Sequence, residues 1–318
     1  MDTDDNELYR LNRTDDYHRQ DLETLGWELT VCNSLYPANT PIRRILKQNT
    51  SYGDLLYRYL AECIPLDAVA KVMEIGGGYG YLMKDFLGND PDLKPSMLDI
   101  SPALLKKQQE TLRDHKVEYY LRDALEMENA FFSSFDLVIL NENLGDFPAL
   151  VDIDPVILSE NYIPGPDDTV RQVRHFFDVY GLEKPAASFN MNIGAVQMVE
   201  KVCRAGIPYI FIGEHSCECL LPSDLKPFFD ISWTGNPMRI RLKGHDEFTI
   251  KFSYLQEIAG QLGYKAKRGP FADYIVPDIN DHVRAILASR GLYSDSEEII
   301  YQFIGDVYEY EYLILMKQ

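Results

Sequence analysis

The sequence predicts an α/β fold built around a doubly wound, mostly parallel β-sheet. Between residues 68 and 140, apolar runs of strand length alternate with segments of helical periodicity, which is the rhythm of parallel strands joined by right-handed crossovers. A glycine-rich turn, residues 74–80, directly follows the first of these runs. The last residues, 308–316, alternate in polarity and then become apolar, as expected of an antiparallel strand that enters the sheet last.

The composition fits a cytoplasmic globular protein. The 318 residues, 46% of them hydrophobic, suffice for one large domain with a buried core. No apolar stretch approaches the length of a membrane span, and residues 1–7 are acidic where a secretory signal would be basic. The five cysteines form no even disulfide framework and fit a reducing compartment. We therefore predict a cytoplasmic location.

The charge balance disfavours nucleic acids and membranes as partners. Fifty acidic against 31 basic residues give a net charge of −19, which opposes approach to phosphate backbones and anionic lipids. The densest basic clusters lie in residues 43–47 and 265–268, and clusters of two or three charges are typical of solvated faces. We predict neither nucleic acid nor a membrane as a partner.

The N-terminal segment, residues 1–66, is predicted to form a helical cap on the domain that follows, residues 67–318. Its clearest helix opens at residues 51–54. Apolar side chains then recur at three- and four-residue intervals, at Leu55, Leu56, Tyr59, Leu60 and Cys63. We expect this segment to pack over the ligand cleft.

The glycine-rich turn reads Glu74-Ile75-Gly76-Gly77-Gly78-Tyr79-Gly80 and precedes a helical pattern, residues 81–87. Glycine lets the backbone approach a ligand closely, because it lacks a Cβ atom and reaches positive φ angles. A dinucleotide fingerprint needs a third glycine three residues after its second, but Tyr81 or Met83 occupies that place in the two registers. The turn therefore argues against a dinucleotide oxidoreductase.

A carboxylate ends the next predicted strand. Asp99 closes the strand over residues 94–100 and lies 19 residues beyond Gly80, where a doubly wound sheet places an acid on ribose hydroxyls. A third strand over residues 117–121 leads into Asp123. Taken singly, Asp99 and Asp123 are turn acids or helix N-caps, and only their order along the chain favours a ligand site.

The residues from Glu74 to Gly80 resemble motif I of the class I S-adenosylmethionine-dependent methyltransferases. Arg122-Asp123-Ala124 is similar to the family's adenine-contacting element, and Asn141-Glu142-Asn143 follows the fourth strand, residues 135–140, where the family lines its reaction chamber. The resemblance implies a Rossmann-like fold with seven strands and S-adenosylmethionine as cofactor. It assigns to cofactor binding Glu74, Gly76, Gly77, Gly78, Gly80, Asp99, Ile100, Asp123, Ala124 and Asn141. For Glu74, a structural role holding the amides of the glycine turn is an equal alternative.

Residues 147–189 interrupt the strand–helix rhythm with prolines and acidic residues. We interpret them as an insertion after the fourth strand. Ligands bind beyond the carboxyl ends of the strands in an open α/β sheet, so such an insertion would form a lid or wall of the cleft. The alternative is that these residues form a surface loop that has no role in ligand binding. A fifth strand over residues 207–212 then leads to Glu214 and His215.

Three shorter segments resemble the MidA-like methyltransferases, a family that includes the mitochondrial complex I assembly methyltransferase. They are residues 80–85, 140–148 and 247–255. Phe147 stands where the family has alanine, and Pro148 comes one residue earlier than the family's proline. The resemblance implies methylation of a protein side chain, such as the guanidinium of an arginine.

The chemistry of methyl transfer suggests roles for four further residues. A sulfonium carries an activated methyl group, so the protein must mainly align the acceptor and exclude water. A cationic nitrogen acceptor would need carboxylates around it, and Glu142, Asp146 and Glu214 follow adjacent strands. An oxygen acceptor would need a base, for which His215 is the candidate. For Glu142 the alternative is a cap on the helix after the fourth strand or support of the cofactor loop, and His215 could be a bystander in an exposed loop.

We therefore predict a methyltransferase acting on a nitrogen or oxygen of a small-molecule or protein acceptor. The alternative is a cofactor-binding assembly protein that keeps the fold without turnover. No metal site is predicted. His215, Cys217 and Cys219 are ligand types for zinc, but structural zinc sites usually take a second cysteine pair, which is missing here. His175 and His245 receive lower weight as functional residues.

Overall fold

The computed structural model describes residues 8–20, 30–230 and 233–318, so the acidic residues 1–7 lie outside the described part. The strands are β1 (Arg10–Asn12), β2 (Lys71–Ile75), β3 (Lys94–Asp99), β4 (Glu118–Leu121), β5 (Leu137–Asn141), β6 (Ala149–Ile153), β7 (Phe189–Met191), β8 (Tyr209–His215), β9 (Arg239–Arg241), β10 (Asp246–Phe248), β11 (Tyr264–Pro270) and β12 (Tyr310–Lys317). The helices are α1 (Asp15–Arg19), α2 (Val31–Leu35), α3 (Pro41–Arg44), α4 (Tyr52–Cys63), α5 (Tyr81–Asn89), α6 (Pro102–Thr111), α7 (Asn129–Phe132), α8 (Asp168–Tyr180), α9 (Ile193–Arg204), α10 (Phe252–Gln261), α11 (Asp281–Ser289) and α12 (Asp295–Glu309).

The central sheet has seven strands in the order β4-β3-β2-β5-β8-β12-β11. The strands from β4 to β8 are parallel, whereas β12 runs antiparallel to both β8 and β11. This confirms the predicted doubly wound, mostly parallel sheet and the late entry of the last strand. The strand order reverses between β2 and β5, which is where open α/β sheets bind their ligands.

Helices cover both faces of this sheet, which explains why its inner strands are mostly apolar. On β2, Met73 packs into one core cluster with Val199 of α9, and Val72 packs into the other with Phe86 of α5. None of these four side chains is exposed to solvent. The burial of both strand faces leaves the strand ends as the place for polar side chains.

The region predicted as an insertion contains regular structure. β6 and β7 belong to a small antiparallel sheet in the order β1-β6-β7. Helix α8 lies between β6 and β7 and buries one face, including Val170, Val173 and Phe177. Because β1 pairs with β6, this sheet ties the N-terminal segment to the region after β5.

The helix predicted near residues 51–63 is present as α4, and the shorter helices α2 and α3 precede it. Thr30 and Thr40 cap α2 and α3 by accepting backbone N–H groups, and Pro41 occupies the first position of α3. No helix in the described parts of the chain is long and apolar enough to cross a membrane.

The sequence pattern did not predict the edge strand β11, because its basic residues interrupt the apolar pattern. Arg268 on this strand pairs with Glu311 at 2.6 Å and with Glu218 at 3.1 Å. Lysines on an edge strand oppose pairing with another sheet, and Lys265 and Lys267 fit that role. The basic cluster at residues 265–268 is therefore part of the sheet edge.

Candidate active site

A cavity of about 730 Å³ opens at the carboxyl ends of β2, β3, β5 and β8. The N-terminal segment contributes Thr14 to its wall, α8 contributes Gln172, and the β9–β10 hairpin contributes Arg241. Every residue predicted for cofactor binding or catalysis lines this cavity, with the exception of Gly80. The site is thus assembled from the sheet edge and from three segments that lie over it.

The glycine turn forms the floor of the cavity. Gly76, Gly78 and Gly80 have φ angles of 64°, 50° and 79°, which side chains other than glycine rarely adopt. Gly77 is required by space, because a Cβ atom there would lie 2.4 Å from Cε of Met97. Gly80 lies away from the cavity and begins α5 as its N-cap.

Glu74 lies under the glycine turn and also faces the cavity. A Cβ atom on Gly77 would approach its Cδ to 2.9 Å. Only 2% of Glu74 is exposed, and its Oε2 has no hydrogen-bond partner among the described residues. Burial, with the charge of Asp99 second, raises the pKa of Glu74 to about 8. Both roles foreseen for Glu74, support of the turn and contact with a ligand, fit this position.

Asp99 is held rigidly at the end of β3. Its Oδ1 accepts from the Ser101 amide at 2.8 Å, and its Oδ2 accepts from Nε2 of Gln108 at 2.7 Å. Gln108 also donates to the carbonyl of Gly78 at 3.2 Å, so one buried amide ties the acid to the glycine turn. Burial raises the pKa of Asp99 to about 6. Gln108 was missed from sequence, since an isolated glutamine on α6 carries no signal.

The adenine-contacting element predicted at residues 122–124 follows β4 and lines the cavity. Asp123 caps the short 3₁₀ helix at residues 124–126, accepting from the Leu125 amide at 2.9 Å. Its other oxygen lies 3.4 Å from the guanidinium of Arg19. The capping role considered for Asp123 is therefore present, and it leaves the side chain at the cavity wall.

The Glu142 side chain is hydrogen-bonded to the N-terminal segment. Its carboxylate accepts from the backbone amides of Val31 at 2.7 Å and Cys32 at 3.0 Å, and from Nδ2 of Asn141 at 3.0 Å. The two amides belong to the first turn of α2, whose N–H groups have no partner within the helix. Burial raises the pKa of Glu142 to about 7, against the opposing effect of these hydrogen bonds. The carboxylate caps a helix, although that helix is α2 and not one that follows the fourth strand.

We expect Glu142→Ala to loosen α2. Two charge-assisted hydrogen bonds would be lost, with a cost to unfolding free energy of about 1–3 kcal/mol. Hydrogen exchange at the amides of Val31 and Cys32 should accelerate at least about tenfold. Glu142→Gln keeps one acceptor oxygen and should show a smaller effect. Unchanged exchange in the alanine variant would contradict the capping role.

Asp146 lies in a cluster with two histidines. Nε2 of His18 is 2.8 Å from Oδ1 of Asp146, and Nε2 of His245 is 3.2 Å from the same oxygen. His245 also lies 3.2 Å from Oε1 of Glu247. Burial opposes ionisation of Asp146, but the hydrogen bonds from His18 and His245 outweigh it and lower its pKa. Sequence reasoning gave His245 little weight and did not single out His18 or the Glu247 carboxylate, since these residues lie far apart along the chain.

Glu214 and His215 end β8 at the cavity. Oε2 of Glu214 accepts from the Gly145 amide at 3.1 Å, which positions the loop after β5. The His215 ring lies against Tyr310 with centroids 3.7 Å apart. Burial lowers the pKa of His215, but its interactions with Glu214 outweigh burial and raise it overall. The carboxylate thus favours the protonated imidazole.

The two cysteines that follow His215 are part of the core. Cys217 and Cys219 are almost completely buried, and burial raises the pKa of each thiol, that of Cys217 to about 12. Sγ of Cys219 donates to the carbonyl of Ser216 at 3.6 Å. Buried thiols with raised pKa values are poor nucleophiles and poor ligands.

Comparison with known proteins agrees with this architecture. The family model described as methyltransferase small domain matches residues 54–143, which include the glycine turn, Asp99 and Asp123. No curated protein matches the sequence significantly. The seven-stranded sheet that contains this segment has the Rossmann-like fold of class I S-adenosylmethionine-dependent methyltransferases.

Several solved structures are similar to this chain at low sequence identity. An uncharacterized protein from Burkholderia thailandensis is 14% identical, with 96% of this chain and 87% of that chain covered and a TM-score of 0.53. Phosphoethanolamine N-methyltransferase 2 from Haemonchus contortus is 15% identical over 98% of this chain and 67% of its own, with a TM-score of 0.44. Magnesium protoporphyrin IX methyltransferase from Synechocystis PCC 6803 is 9% identical over 84% and 80%, with a TM-score of 0.41.

Proposed function

We propose that this protein transfers a methyl group from S-adenosylmethionine to an oxygen or nitrogen atom of a small molecule. The observation that carries the proposal is the single cavity into which the glycine turn, Asp99 and the Asp123–Ala124 element all open. The strand order reverses beside it, so the cavity lies where this fold places nucleotide ligands.

The residues present fit the cofactor. We assign Asp99 to the ribose hydroxyls and the Asp123–Ala124 element to adenine, because all three residues line the cavity. The unpaired Oε2 of Glu74 supports binding of a positively charged ligand group, because an ionised carboxylate at this depth needs a partner. The acidic side chains around the cavity further favour a cation; they are Asp15, Glu74, Asp99, Asp123, Glu142, Asp146, Glu214, Glu247 and Asp306. The cofactor would supply a methyl group already activated on a sulfonium.

The walls of the cavity support a small acceptor. Its volume of about 730 Å³ lies within the range of small-molecule sites. Thr169 and Gln172 of α8 and Gln197 of α9 add neutral hydrogen-bonding groups to the wall. For an arginine acceptor, implied by the MidA-like resemblance, Glu142 is engaged in capping α2, which leaves Asp146 and Glu214 as the predicted partners of its charge.

The chain must align the acceptor, exclude water and accept a proton from it. His215 lines the cavity and is the candidate for this base. The cofactor held by these residues would supply the methyl carbon to the acceptor's lone pair and would keep the electron pair of the C–S bond on sulfur.

Isothermal titration with S-adenosylhomocysteine tests the cofactor assignment. We expect binding at micromolar strength, weakened about ten- to a hundredfold in Asp99→Asn because a hydrogen bond to a charged group is lost. Asparagine can still accept the Ser101 amide, but its Nδ2 would face the Nε2 donor of Gln108, so thermal unfolding must first show that the variant is folded. Absence of binding heat in the folded wild-type protein would remove the proposal.

Transfer itself needs a separate assay. Labelled methyl groups from S-adenosylmethionine should enter small molecules of a cell extract, at a rate above that of Asp99→Asn. Cofactor binding without any incorporation, into either the small-molecule or the protein fraction, would favour the assembly protein without turnover. Incorporation confined to the protein fraction would reject the small acceptor.

A further inference from the structure

The His18–Asp146–His245–Glu247 cluster is built from three separate parts of the chain. His18 lies on α1, Asp146 follows β5, and His245 and Glu247 belong to the β9–β10 hairpin. Their side chains are only 12%, 23%, 2% and 17% exposed, respectively. Two carboxylates and two imidazoles therefore converge in a largely enclosed space at the cavity.

The geometry of the cluster matches a set of metal ligands. One donor atom from each of His18, Asp146 and His245 lies within 4.8 Å of the other two. Metal–ligand bonds to nitrogen and oxygen are about 2.0–2.2 Å, so neighbouring ligand atoms around one ion are about 3–3.5 Å apart. Nε2 of His18 and Nε2 of His245 lie 2.8 Å and 3.2 Å from Oδ1 of Asp146, which is close to that spacing.

Neighbouring contacts hold the ligands in place. Tyr17 stacks on the His245 ring with centroids 4.2 Å apart. Thr14 donates from its hydroxyl to the carbonyl of Asp146, and Nδ2 of Asn12 donates to the carbonyl of Asp246 at 2.9 Å. The segment that carries His18 is thereby fixed to both of the other parts that supply ligands.

We propose that the cluster binds one divalent transition-metal ion, such as Mn²⁺, Co²⁺ or Zn²⁺. Imidazole nitrogen with carboxylate oxygen suits these ions, whereas Mg²⁺ and Ca²⁺ prefer oxygen ligands alone. With neutral imidazoles, two carboxylates carry a charge of −2, which the ion balances. The sequence predicted no metal site, because the four residues are joined only by the fold.

The position of the ion defines what it would bind. His18, Asp146 and Glu247 all line the cavity, so coordination positions that the protein leaves open face the acceptor space. A hydroxyl oxygen of the acceptor is the ligand expected there, since a divalent ion binds oxygen and favours its deprotonated form. This part rests on the proposed function, whereas metal binding itself does not.

Metal binding can be measured on the full-length protein after removal of metals by a chelator. Titration with Co²⁺, followed by visible absorption, and elemental analysis after equilibration with Mn²⁺, Co²⁺ or Zn²⁺ should show about one ion per chain. Affinity should fall at least about tenfold in His18→Ala and in Asp146→Asn. His282→Ala, which removes an exposed histidine on α11, should bind as the wild type does.

The outcomes separate the two proposals. Less than about 0.1 ion per chain for all three metals, or equal binding by the wild type and a folded His18→Ala variant, would overturn the metal site and identify a hydrogen-bonded histidine–carboxylate network. Thermal unfolding confirms that each variant is folded, and Asp146→Asn gives a second test if His18→Ala is not. S-adenosylhomocysteine titration of the same preparations shows independently whether the cofactor proposal fails.

Discussion

Replacing Gly77 by valine is expected to abolish cofactor binding. The new Cβ atom would lie 2.4 Å from Cε of Met97 and 2.9 Å from Cδ of Glu74. Both side chains are buried, with exposures of 0% and 2%, so neither can move aside without disturbing the core. The turn itself must shift, and its amides would leave the cavity floor. We expect the affinity for S-adenosylhomocysteine to fall at least about a hundredfold, which is roughly 3 kcal/mol.

Gly88→Ala provides a matched control on the helix that follows the turn. A Cβ atom at Gly88 meets nothing within 4 Å, and alanine stabilises a helix interior by about 1 kcal/mol relative to glycine. The affinity of Gly88→Ala for S-adenosylhomocysteine should equal that of the wild type. Circular dichroism and thermal unfolding show whether Gly77→Val is folded. Unchanged affinity in a folded Gly77→Val protein would contradict the position assigned to the turn.

Gly76→Ala offers a milder test of the same floor if Gly77→Val does not fold. Gly76 has a φ angle of 64°, and a Cβ atom there would lie 2.7 Å from Nδ2 of Asn143. The Asn143 amide also donates to the carbonyl of Ile75. A methyl group at Gly76 would therefore disturb both the turn and the end of β5, with a measurable loss of affinity expected.

The parts of the fold that were predictable are those in which local pattern and burial coincide. β5 and all of β2 after Lys71 are buried, so their sequences are mostly apolar and easily recognised. The turn after β2 needs positive φ angles at Gly76 and Gly78, which leaves glycine as a visible mark. Each of these features depends on residues that are neighbours in the sequence.

The parts that were not predictable depend on contacts between distant residues. Val31 precedes its partner Glu142 by 111 residues, and His18 precedes Asp146 by 128. Neither pairing has a periodicity or spacing that a single sequence could show. The position of Glu142 after β5 predicted that it lies at the cavity, but nothing in the sequence predicted its hydrogen bonds to α2. The likeness to MidA-like methyltransferases stays a prediction, as do the site assignments.

Glu74 should make the ligand-free protein less stable as the pH rises. Its pKa is raised by burial from 4.5 to about 8 in the folded state, so the fold favours the protonated acid. Between these two values the folded protein keeps a proton that the unfolded chain has lost. The free energy of unfolding therefore falls as pH increases through this window. From pH 6 to pH 9 the contribution of Glu74 alone is a loss of roughly 2–3 kcal/mol.

Glu74→Gln isolates this contribution because glutamine has nearly the same shape and does not titrate. Denaturant unfolding of both proteins at several pH values should show that the free energy of unfolding falls more steeply with rising pH in the wild type. The other buried carboxylates are common to both proteins, so their effects cancel in the comparison. If the difference in unfolding free energy between the two proteins stays constant from pH 6 to pH 9, Glu74 is already ionised in the folded protein. A positively charged ligand near Glu74 would favour its ionised form. Wild-type binding should then release protons near pH 7, giving a buffer-dependent enthalpy that Glu74→Gln lacks.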